Sequence, residues 1–500
     1  MSVLHRSIFF SALERYGTVL LFLISTAVLS RLLTPAEFGV YAIVNALTMV
    51  IAASFQEFGG ANYLIQKPSL SEQDIRTAFT ITFCMSATIG LSLFALRDVL
   101  AWFFANEGLK FGIAVSVLTF FVSPFTLTIS ALFRRDMQFG TLTVCNLAGN
   151  VTTAVISIGL AAMNFSFMAP IWGMFAGNIV IAGSLVVSRR NLRIFRPSID
   201  GYRAVMNFGF FSAGVSVINV FYNLAPQLVL ARVLDFAAVG LYSRAVNVTQ
   251  MFDKFVLQIL NPVILPAIFA QTRSGGDLKR LYLNAIELIA AIQWPFLIFL
   301  ALMADPIIRI WLGVSWIEIV PLVRMLCIAS LSLFAACLTY PVLVAVGRVN
   351  EALTSSLISL PPSLLLIFVA SFFGIQAVAA SALLTLPFQA AVAIYFVSGH
   401  LKVSRSDLVD ATLKSGVVTI CSSAGIIVSA VLAQNGLIGP IVELILAGVL
   451  AAAGWLVGLI MTRHPLLARV QSAAVGLLDL VRRMRSNRMR NLRDETLRLN

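Results

Sequence analysis

Charged residues are scarce in this chain of 500 residues. They make up 11% of it, whereas an ordinary soluble protein carries about 25%, and hydrophobic residues make up 59%. The mean hydropathy is +0.94. So little polar material cannot cover a surface that faces water, which excludes a large soluble globule. The composition predicts a protein that lies in a lipid bilayer.

Cysteine and histidine are also rare, with five and three copies. The cysteines lie inside apolar runs, and no two of them have the C-x-x-C spacing typical of a metal or redox site. The phosphate-binding pattern G-x-x-x-x-G-K-[ST] is absent, which excludes nucleotide hydrolysis by that route. We therefore expect no metal, no cofactor and no catalytic residues.

Apolar runs long enough to cross a membrane, about 20 residues each, recur along the whole chain. About fourteen such runs are predicted, over 9–30, 39–65, 77–96, 112–133, 142–162, 168–188, 206–230, 239–269, 282–303, 319–345, 352–371, 375–398, 412–432 and 439–461. The sequence thus predicts an all-α polytopic membrane protein. Its predicted domains are an N-terminal lobe over 1–190 (helices 1–6), a cytoplasmic basic linker over 191–205, a C-terminal lobe over 206–400 (helices 7–12), two further helices over 401–462 and a basic amphipathic tail over 463–500.

The basic residues separate by side when the predicted turns are numbered from a cytoplasmic N-terminus. That side receives 27 of the 35 lysines and arginines, and the odd turns receive five. The positive-inside rule therefore predicts cytoplasmic N- and C-termini. The net charge of +13 follows from topology, so nucleic acid is not an expected partner, and the tail is expected to touch anionic lipid.

One segment occurs twice. Residues 28–42 read VLSRLLTPAEFGVYA and residues 229–243 read VLARVLDFAAVGLYS, with seven identities in fifteen positions at a constant offset of 201. Six predicted helices separate the two copies, so both copies cross the membrane in the same direction. This arrangement predicts two parallel lobes, as in two-lobed transporters.

Polar side chains form stripes on two of the predicted helices. The seventh helix carries Ser212, Ser216, Asn219, Asn223 and Gln227, and the eighth carries Arg244, Asn247, Gln250, Lys254, Gln258 and Asn261, all at steps of three or four residues. Lipid tails offer no hydrogen bonds, so each stripe must face protein or water. Packing between helices explains single hydroxyls or amides. A stripe that includes Arg244 and Lys254 favours the lining of a central cavity.

Cations within the membrane suit a phosphate. The predicted substrate-binding residues are Arg15, Arg31, Asn219, Asn223, Arg232, Arg244, Asn247, Gln250, Lys254 and Arg324. For Arg31, Arg232 and Arg324, extension of the side chain to the membrane interface explains the charge equally well. Glu57, Asp253 and Glu287 are candidates for ion coupling, with structural salt bridges as the alternative.

Residues 11–67, which read SALERYGTVLLFLISTAVLSRLLTPAEFGVYAIVNALTMVIAASFQEFGGANYLIQK, resemble the start of the Wzx-type polysaccharide flippases. The resemblance rests on Glu14, Arg15, Arg31, Leu32, Leu33, Thr34, Pro35, Phe38, Gly39, Tyr41, Leu64, Ile65 and Gln66. In the second half it rests on Gly240, Tyr242, Ser243, Arg244, Trp311, Leu312, Gly313, Trp316, Arg324, Gly347 and Arg348. Many relatives carry an aspartate where this chain has Glu57, so a carboxylate is kept.

These flippases belong to the superfamily that also holds the multidrug and toxic-compound extruders and the lipid II flippase. The resemblance implies an oligosaccharide on a polyprenyl diphosphate as the substrate, moved by alternating access to the outer leaflet of a bacterial inner membrane. The product would serve exopolysaccharide or lipopolysaccharide assembly, with membrane lipids, a polysaccharide polymerase and export machinery as partners. The residues agree with this substrate, because Arg244 and Lys254 suit a diphosphate and the stripe amides suit a sugar.

Two other functions stay open at the level of sequence. A multidrug or small-cation exporter of the same fold would be favoured by a cavity rich in carboxylates. A membrane enzyme of polysaccharide assembly would need a catalytic carboxylate pair outside the membrane. The turn from Arg97 to Lys110 offers Asp98 and Glu107 as its only acids.

Overall fold

The fold is known from a computed structural model. It describes residues 3–58, 61–67, 69–257, 268 and 276–472, with the backbone alone at 3–9, 50–58, 61–62, 66, 204–219 and 349. The helices of this part are α1 (Val3–Leu32), α2 (Pro35–Phe58), α3 (Ala61–Gln66), α4 (Glu72–Phe103), α5 (Gly108–Arg135), α6 (Phe139–Ala162), α7 (Met168–Arg189), α8 (Tyr202–Val233), α9 (Phe236–Thr249), α10 (Leu278–Leu302), α11 (Ala304–Trp311), α12 (Val320–Ser330), α13 (Thr339–Ala345), α14 (Val349–Ser371), α15 (Ile375–Leu401), α16 (Arg405–Gln434) and α17 (Pro440–Met461).

Membrane-spanning helices dominate the chain. Within the described residues, eleven helices are long and apolar enough to cross a bilayer, and no strand is found. This confirms the predicted all-α, multi-pass class. The total of fourteen spans and the five predicted domains stay predictions.

The predicted span over 319–345 is interrupted. A 3₁₀ turn at Val314–Ile319 precedes α12, and another at Leu331–Phe334 follows it before α13 begins. The indole nitrogen of Trp294 donates to the carbonyl oxygen of Leu331 at 2.9 Å. A continuous α-helix would use that carbonyl in its own ladder, so a contact from another helix accompanies the break.

The predicted span over 239–269 is likewise not one regular helix. Its α-helical part, α9, ends at Thr249, and a π-helical turn covers Asp253–Leu257. Such turns are rare and occur often at functional sites. The kink predicted at Pro262 and Pro266 lies outside the described residues, as do Gln258 and Asn261 of the polar stripe.

The repeated segment begins a helix in both of its copies. At the start of α2, the backbone N–H of Thr34 donates to Glu37 at 2.8 Å, and the Glu37 N–H donates to the Thr34 hydroxyl at 3.3 Å. Pro35 occupies the first helical position, where its missing N–H costs nothing. At the start of α9, the Asp235 carboxylate accepts from the backbone N–H of Ala238 at 2.7 Å. The caps differ, but the turn is the same.

Contacts between the two halves of the chain centre on α2, which packs against both α8 and α9. The closest point joins the repeated glycines. A Cβ built on Gly39 would overlap the carbonyl oxygen of Phe236, and a Cβ built on Gly240 would overlap that of Pro35. Phe236 is Pro35 shifted by 201 residues, so the contact is reciprocal, as at a two-fold axis.

The last two helices pack on the second half. α16 lies against both α10 and α17. The indole nitrogen of Trp455 in α17 donates to the carbonyl oxygen of Ala291 in α10 at 2.8 Å. A helical segment continues at 465–472, and the amphipathic tail predicted beyond it, from 473 on, lies outside the described residues.

Candidate functional site

A cavity of about 660 Å³ lies between the two halves. Helices α1, α2, α6 and α7 line it from the first half, and α8 and α9 line it from the second. Its polar lining consists of Thr18, Ser25, Thr26, Asn45, Asn150, Thr153, Ser157, Asn223, Gln227, Ser243, Arg244, Asn247 and Gln250. The stripe of the eighth predicted helix therefore meets the cavity, as the spacing of its residues predicts.

Arg244 is the charged residue of this lining. It is 3% exposed, and its guanidinium carbon lies 3.7 Å from the ring centre of Phe38 and 5.3 Å from that of Trp316. Its Nε has no hydrogen-bond partner, and no described carboxylate forms an ion pair with it. A buried charge without a counter-ion is costly. Arg244 is thus a buried cation at the cavity wall whose described neighbours are aromatic rings and not carboxylates.

Lys254 lies one element further along the chain, in the π-helical turn. Its ammonium donates to the Asn247 side-chain oxygen at 3.3 Å and lies 4.0 Å from the ring centre of Phe22 in α1. Like Arg244, it makes a cation–π contact across the two halves. Asn247 lines the cavity, so Lys254 stands next to the site.

Helix α6 contributes uncharged polar groups that the sequence analysis did not single out. The amide of Asn150 in α6 donates to the Thr18 hydroxyl at 3.0 Å, and that of Asn146 donates to the Glu14 carboxylate at 2.7 Å. With Thr153 and Ser157, these two asparagines recur along α6 at steps of four, three and four residues. This is the same signal that identified the stripe of the eighth helix.

One end of the cavity is closed. This closed end consists of the reciprocal glycine contact and of three hydrogen bonds from side chains to main-chain carbonyls of the other half. Trp316 donates to Ser30 at 2.6 Å, Trp311 to Leu23 at 2.9 Å and Arg31 to Ile310 at 2.8 Å. Arg31, predicted as a substrate contact, thus has a structural partner here.

Several predicted site residues lie elsewhere. Arg15 is half-buried in α1, Arg232 is exposed near the ring of Phe103, and Arg324 donates to the carbonyl oxygen of Ala301. Glu287 belongs to α10 and faces α16, where its carboxylate lies 3.7 Å from the ammonium of Lys414. Asp253 precedes Lys254 and is not among the lining residues. The side chains of Glu57 and Asn219 lie outside the described residues.

Comparison with known proteins identifies related chains. A family model described as "Polysaccharide biosynthesis protein" matches residues 28–321. The lipopolysaccharide biosynthesis protein WzxC of Escherichia coli (strain K12) is 24% identical over 320 residues, 62% of this chain and 63% of WzxC. The succinoglycan biosynthesis transport protein ExoT of Rhizobium meliloti (strain 1021) is 23% identical over 346 residues, 69% of each chain. The matches thus span about two thirds of these relatives.

A solved structure has the same fold. It is that of the lipid II flippase MurJ in an inward closed conformation, with a TM-score of 0.69 and 11% sequence identity. The likeness covers 91% of this chain and 99% of that one.

Proposed function

Because the chain belongs to the family of polysaccharide biosynthesis proteins, we propose that it moves a lipid-linked oligosaccharide across a membrane. The cargo is an oligosaccharide on a polyprenyl diphosphate, and it passes from the cytoplasmic to the outer leaflet of a bacterial inner membrane by alternating access. The product serves exopolysaccharide or lipopolysaccharide assembly. The names of WzxC and ExoT refer to lipopolysaccharide biosynthesis and to transport in succinoglycan biosynthesis, and the positive-inside pattern supports cytoplasmic termini.

The observation that carries this proposal is the unpaired guanidinium of Arg244 in a cavity between the two halves. A diphosphate supplies the counter-ion that the described part of the chain does not. Arginine suits phosphate, since its planar fork of donors can bind two oxygens at once. Lys254, beside Asn247, adds a second cation near the same wall.

The sugar has its own partners in the same cavity. Asn45 and Asn150 from the first half face Asn223, Asn247 and Gln250 from the second across the cavity. Amides both donate and accept hydrogen bonds, which fits the hydroxyl groups of a saccharide. The lipid tail stays in the bilayer, in a gap between the halves, and a polysaccharide polymerase and export machinery act on the delivered product.

The cavity lining disfavours the drug exporter, and the pairing of acids outside the cavity disfavours the membrane enzyme. An exporter of cationic drugs needs acidic residues, and no carboxylate is among the described lining residues. A membrane enzyme needs free acids, yet Asp98 at the end of α4 and Glu107 in the turn after it are both paired. The ammonium of Lys110 lies 3.4 Å from Asp98 and 2.6 Å from Glu107. Glu57, Asp253 and Glu287 stay candidates for ion coupling.

Substitution of Arg244 tests the proposal. We expect Arg244→Gln to reduce polymer export by about a hundredfold, because a charge-assisted hydrogen bond contributes about 1.5–3 kcal/mol. Arg244→Lys keeps the charge and loses the planar fork, so export by this variant should lie between that of Arg244→Gln and that of the wild type. The measurement is polymer output and accumulation of the lipid-linked intermediate in a deletion strain that carries each variant.

Arg309→Gln is the matched control. Arg309 is half-exposed and pairs with Asp305 at 2.8 Å on the short helix α11, so its loss should leave export unchanged. Membrane levels of all variants are measured alongside. Wild-type export from Arg244→Gln at a normal membrane level would remove Arg244 from the site and refute the proposal.

A further inference from the structure

The closed end depends on a contact that tolerates no side chain. Gly39 and Gly240 each lie against a main-chain carbonyl of the other half. Backbone does not yield as a flexible side chain does, so any Cβ at either position forces α2 and α9 apart. By contrast, a Cβ at Gly183 in α7 would meet no atom within 4 Å. The two repeated glycines are therefore needed for closure.

The other contacts of the closed end are reversible. Trp311, Trp316 and Arg31 all donate to neutral main-chain carbonyls. No salt bridge joins the two halves at this end in the part of the chain that the structure describes. Hydrogen bonds to main-chain carbonyls exchange with water when a surface opens, and because no described carboxylate pairs with Arg31, separation of the halves breaks no ion pair.

Arg244 joins the closed end to the cavity. It belongs to α9, four residues and one helical turn after Gly240, and it stacks on Phe38, the neighbour of Gly39. Phe38 also meets Trp316 edge to face, with ring centres 5.9 Å apart. One side of this stack therefore belongs to the closed end, and the other side lines the cavity.

We propose that Arg244 is a latch which a bound phosphate releases. The attraction between the guanidinium and the Phe38 ring is electrostatic. A phosphate that binds Arg244 from the cavity neutralises the guanidinium and weakens this attraction, so the phosphate binds the open form more tightly than the closed form. A ligand shifts a conformational equilibrium by such a difference in affinity. The empty protein stays closed at this end, and the loaded protein opens.

This inference rests on the proposed function, since it uses the same phosphate. It adds that opening is conditional on cargo, and that Phe38 is a positioning residue which holds Arg244 in the unloaded state.

The glycine contact is tested by access to the cavity. The reporter is Asn45→Cys in a cysteine-free background, because Asn45 lines the cavity. This cysteine is labelled in right-side-out vesicles with a membrane-impermeant maleimide. We expect Gly39→Val to speed labelling by about tenfold, because overpacking costs about 1–3 kcal/mol. Gly39→Ala should act in the same direction, and Gly183→Val should label at the wild-type rate. Equal rates in all variants would show that these glycines do not close the cavity.

The latch is tested in the same vesicles, loaded with inorganic pyrophosphate. We expect pyrophosphate to speed labelling when Arg244 and Phe38 are intact. Phe38→Leu and Arg244→Gln should label fast without pyrophosphate and gain nothing from it. Unchanged labelling on addition of pyrophosphate, or a wild-type basal rate in both variants, would overturn the latch.

The two proposals can fail separately. Loss of export in Arg244→Gln together with a wild-type labelling pattern leaves the flippase intact and removes the latch. Wild-type export from Arg244→Gln removes the phosphate site itself, and the latch with it.

Discussion

The guanidinium of Arg244 contacts aromatic rings, whereas a charged group within a membrane protein ordinarily pairs with a carboxylate. Placing arginine near the centre of a bilayer costs about 2.5–3.5 kcal/mol by insertion scales, and a desolvated cation–π contact returns about 2 kcal/mol. The ring of Phe38 therefore offsets part of the cost. The remaining cost is the physical ground on which we propose that an anion binds here.

His464 shows a second way to hold a titratable group. It is 2% exposed, its Nδ1 accepts from the backbone N–H of Leu466 at 3.1 Å, and its Nε2 lies 3.3 Å from the Ser415 hydroxyl. Burial, together with the ammonium of Lys414, lowers the pKa of His464 to about 4. The 3.9 Å approach to Glu287 is therefore not an ion pair at neutral pH, because the imidazole is neutral.

The pH dependence of stability follows from this burial. A free imidazole titrates near pH 6.5, so between about pH 6.5 and 4 the unpacked segment binds a proton that the packed one excludes. The contribution is present at neutral pH and is lost as pH falls through that window. We expect the melting temperature of the wild type to fall by about 2 °C more than that of His464→Gln between pH 7 and 4.5. Equal pH dependence of both proteins would contradict this account.

At the scale of elements, small residues set how closely helices pack. α6 and α7 meet along Gly149, Thr153 and Ser157 on one side and Gly173 and Gly177 on the other. Membrane helices gain little from apolar burial against lipid, so close backbone approach supplies the contact energy. The sequence contains these glycines, but only the packed structure distinguishes them from glycines that face lipid.

Two glycines of α6 allow a matched test of this packing. A Cβ on Gly149 would overlap Ile181 of α7, whereas a Cβ on Gly159 would meet no atom within 4 Å. We expect Gly149→Val to destabilise the protein by about 1–3 kcal/mol and Gly159→Val to have little effect. The comparison is matched because both variants replace glycine by the same residue in one helix. Melting temperatures of the purified variants provide the comparison, and equal values would mean that α6 and α7 do not depend on this contact.

Interruptions are the element-scale features that hydropathy misses. The runs over 319–345 and 239–269 are long and mostly apolar, so each is predicted as one continuous span. The structure divides the first where Trp294 takes the carbonyl of Leu331, and it inserts a π-helical turn at Asp253–Leu257 in the second. The first break is accompanied by a contact from a distant helix, which no local pattern contains.

At the scale of the whole molecule, closure depends on a few weak contacts. The two indole hydrogen bonds of the closed end contribute about 1 kcal/mol each, the bond from the charged Arg31 about 1.5–3 kcal/mol, and the Arg244 stack about 2 kcal/mol. A ligand moves such a two-state equilibrium from 1:99 to 99:1 when it binds one form about 10⁴-fold more tightly than the other, a difference of roughly 5.5 kcal/mol. The difference in affinity between the two forms, and not the affinity itself, therefore decides which form is populated.

The orientation of the molecule is open to a direct test. The turn at 104–107 should lie outside and the linker at 190–201 in the cytoplasm, because the basic residues follow that pattern. In a cysteine-free background, we expect Asn106→Cys to react with an impermeant maleimide in right-side-out vesicles. Asn191→Cys should react only after permeabilisation. The opposite pattern would invert the topology and reverse the direction of transport.

The sequence by itself determined the class of the protein. Its apolar runs dictate helices in a membrane, its basic residues predict their direction, and the repeat at an offset of 201 places equivalent helices in both halves. The Arg244 stripe predicts a polar cavity because unsatisfied polar groups cannot face lipid.

The tertiary structure decided which of these residues meet. It places Arg31 at the closed end, beside the carbonyl of Ile310, and it places Arg232, Arg324 and Glu287 outside the cavity lining. Their roles in transport stay predictions. It also added Asn150 to the cavity wall and brought Phe38 onto Arg244. These pairings join residues more than a hundred positions apart, and their distances depend on how whole helices pack. Local spacing fixes the face of a helix on which a residue lies, but not what that face touches.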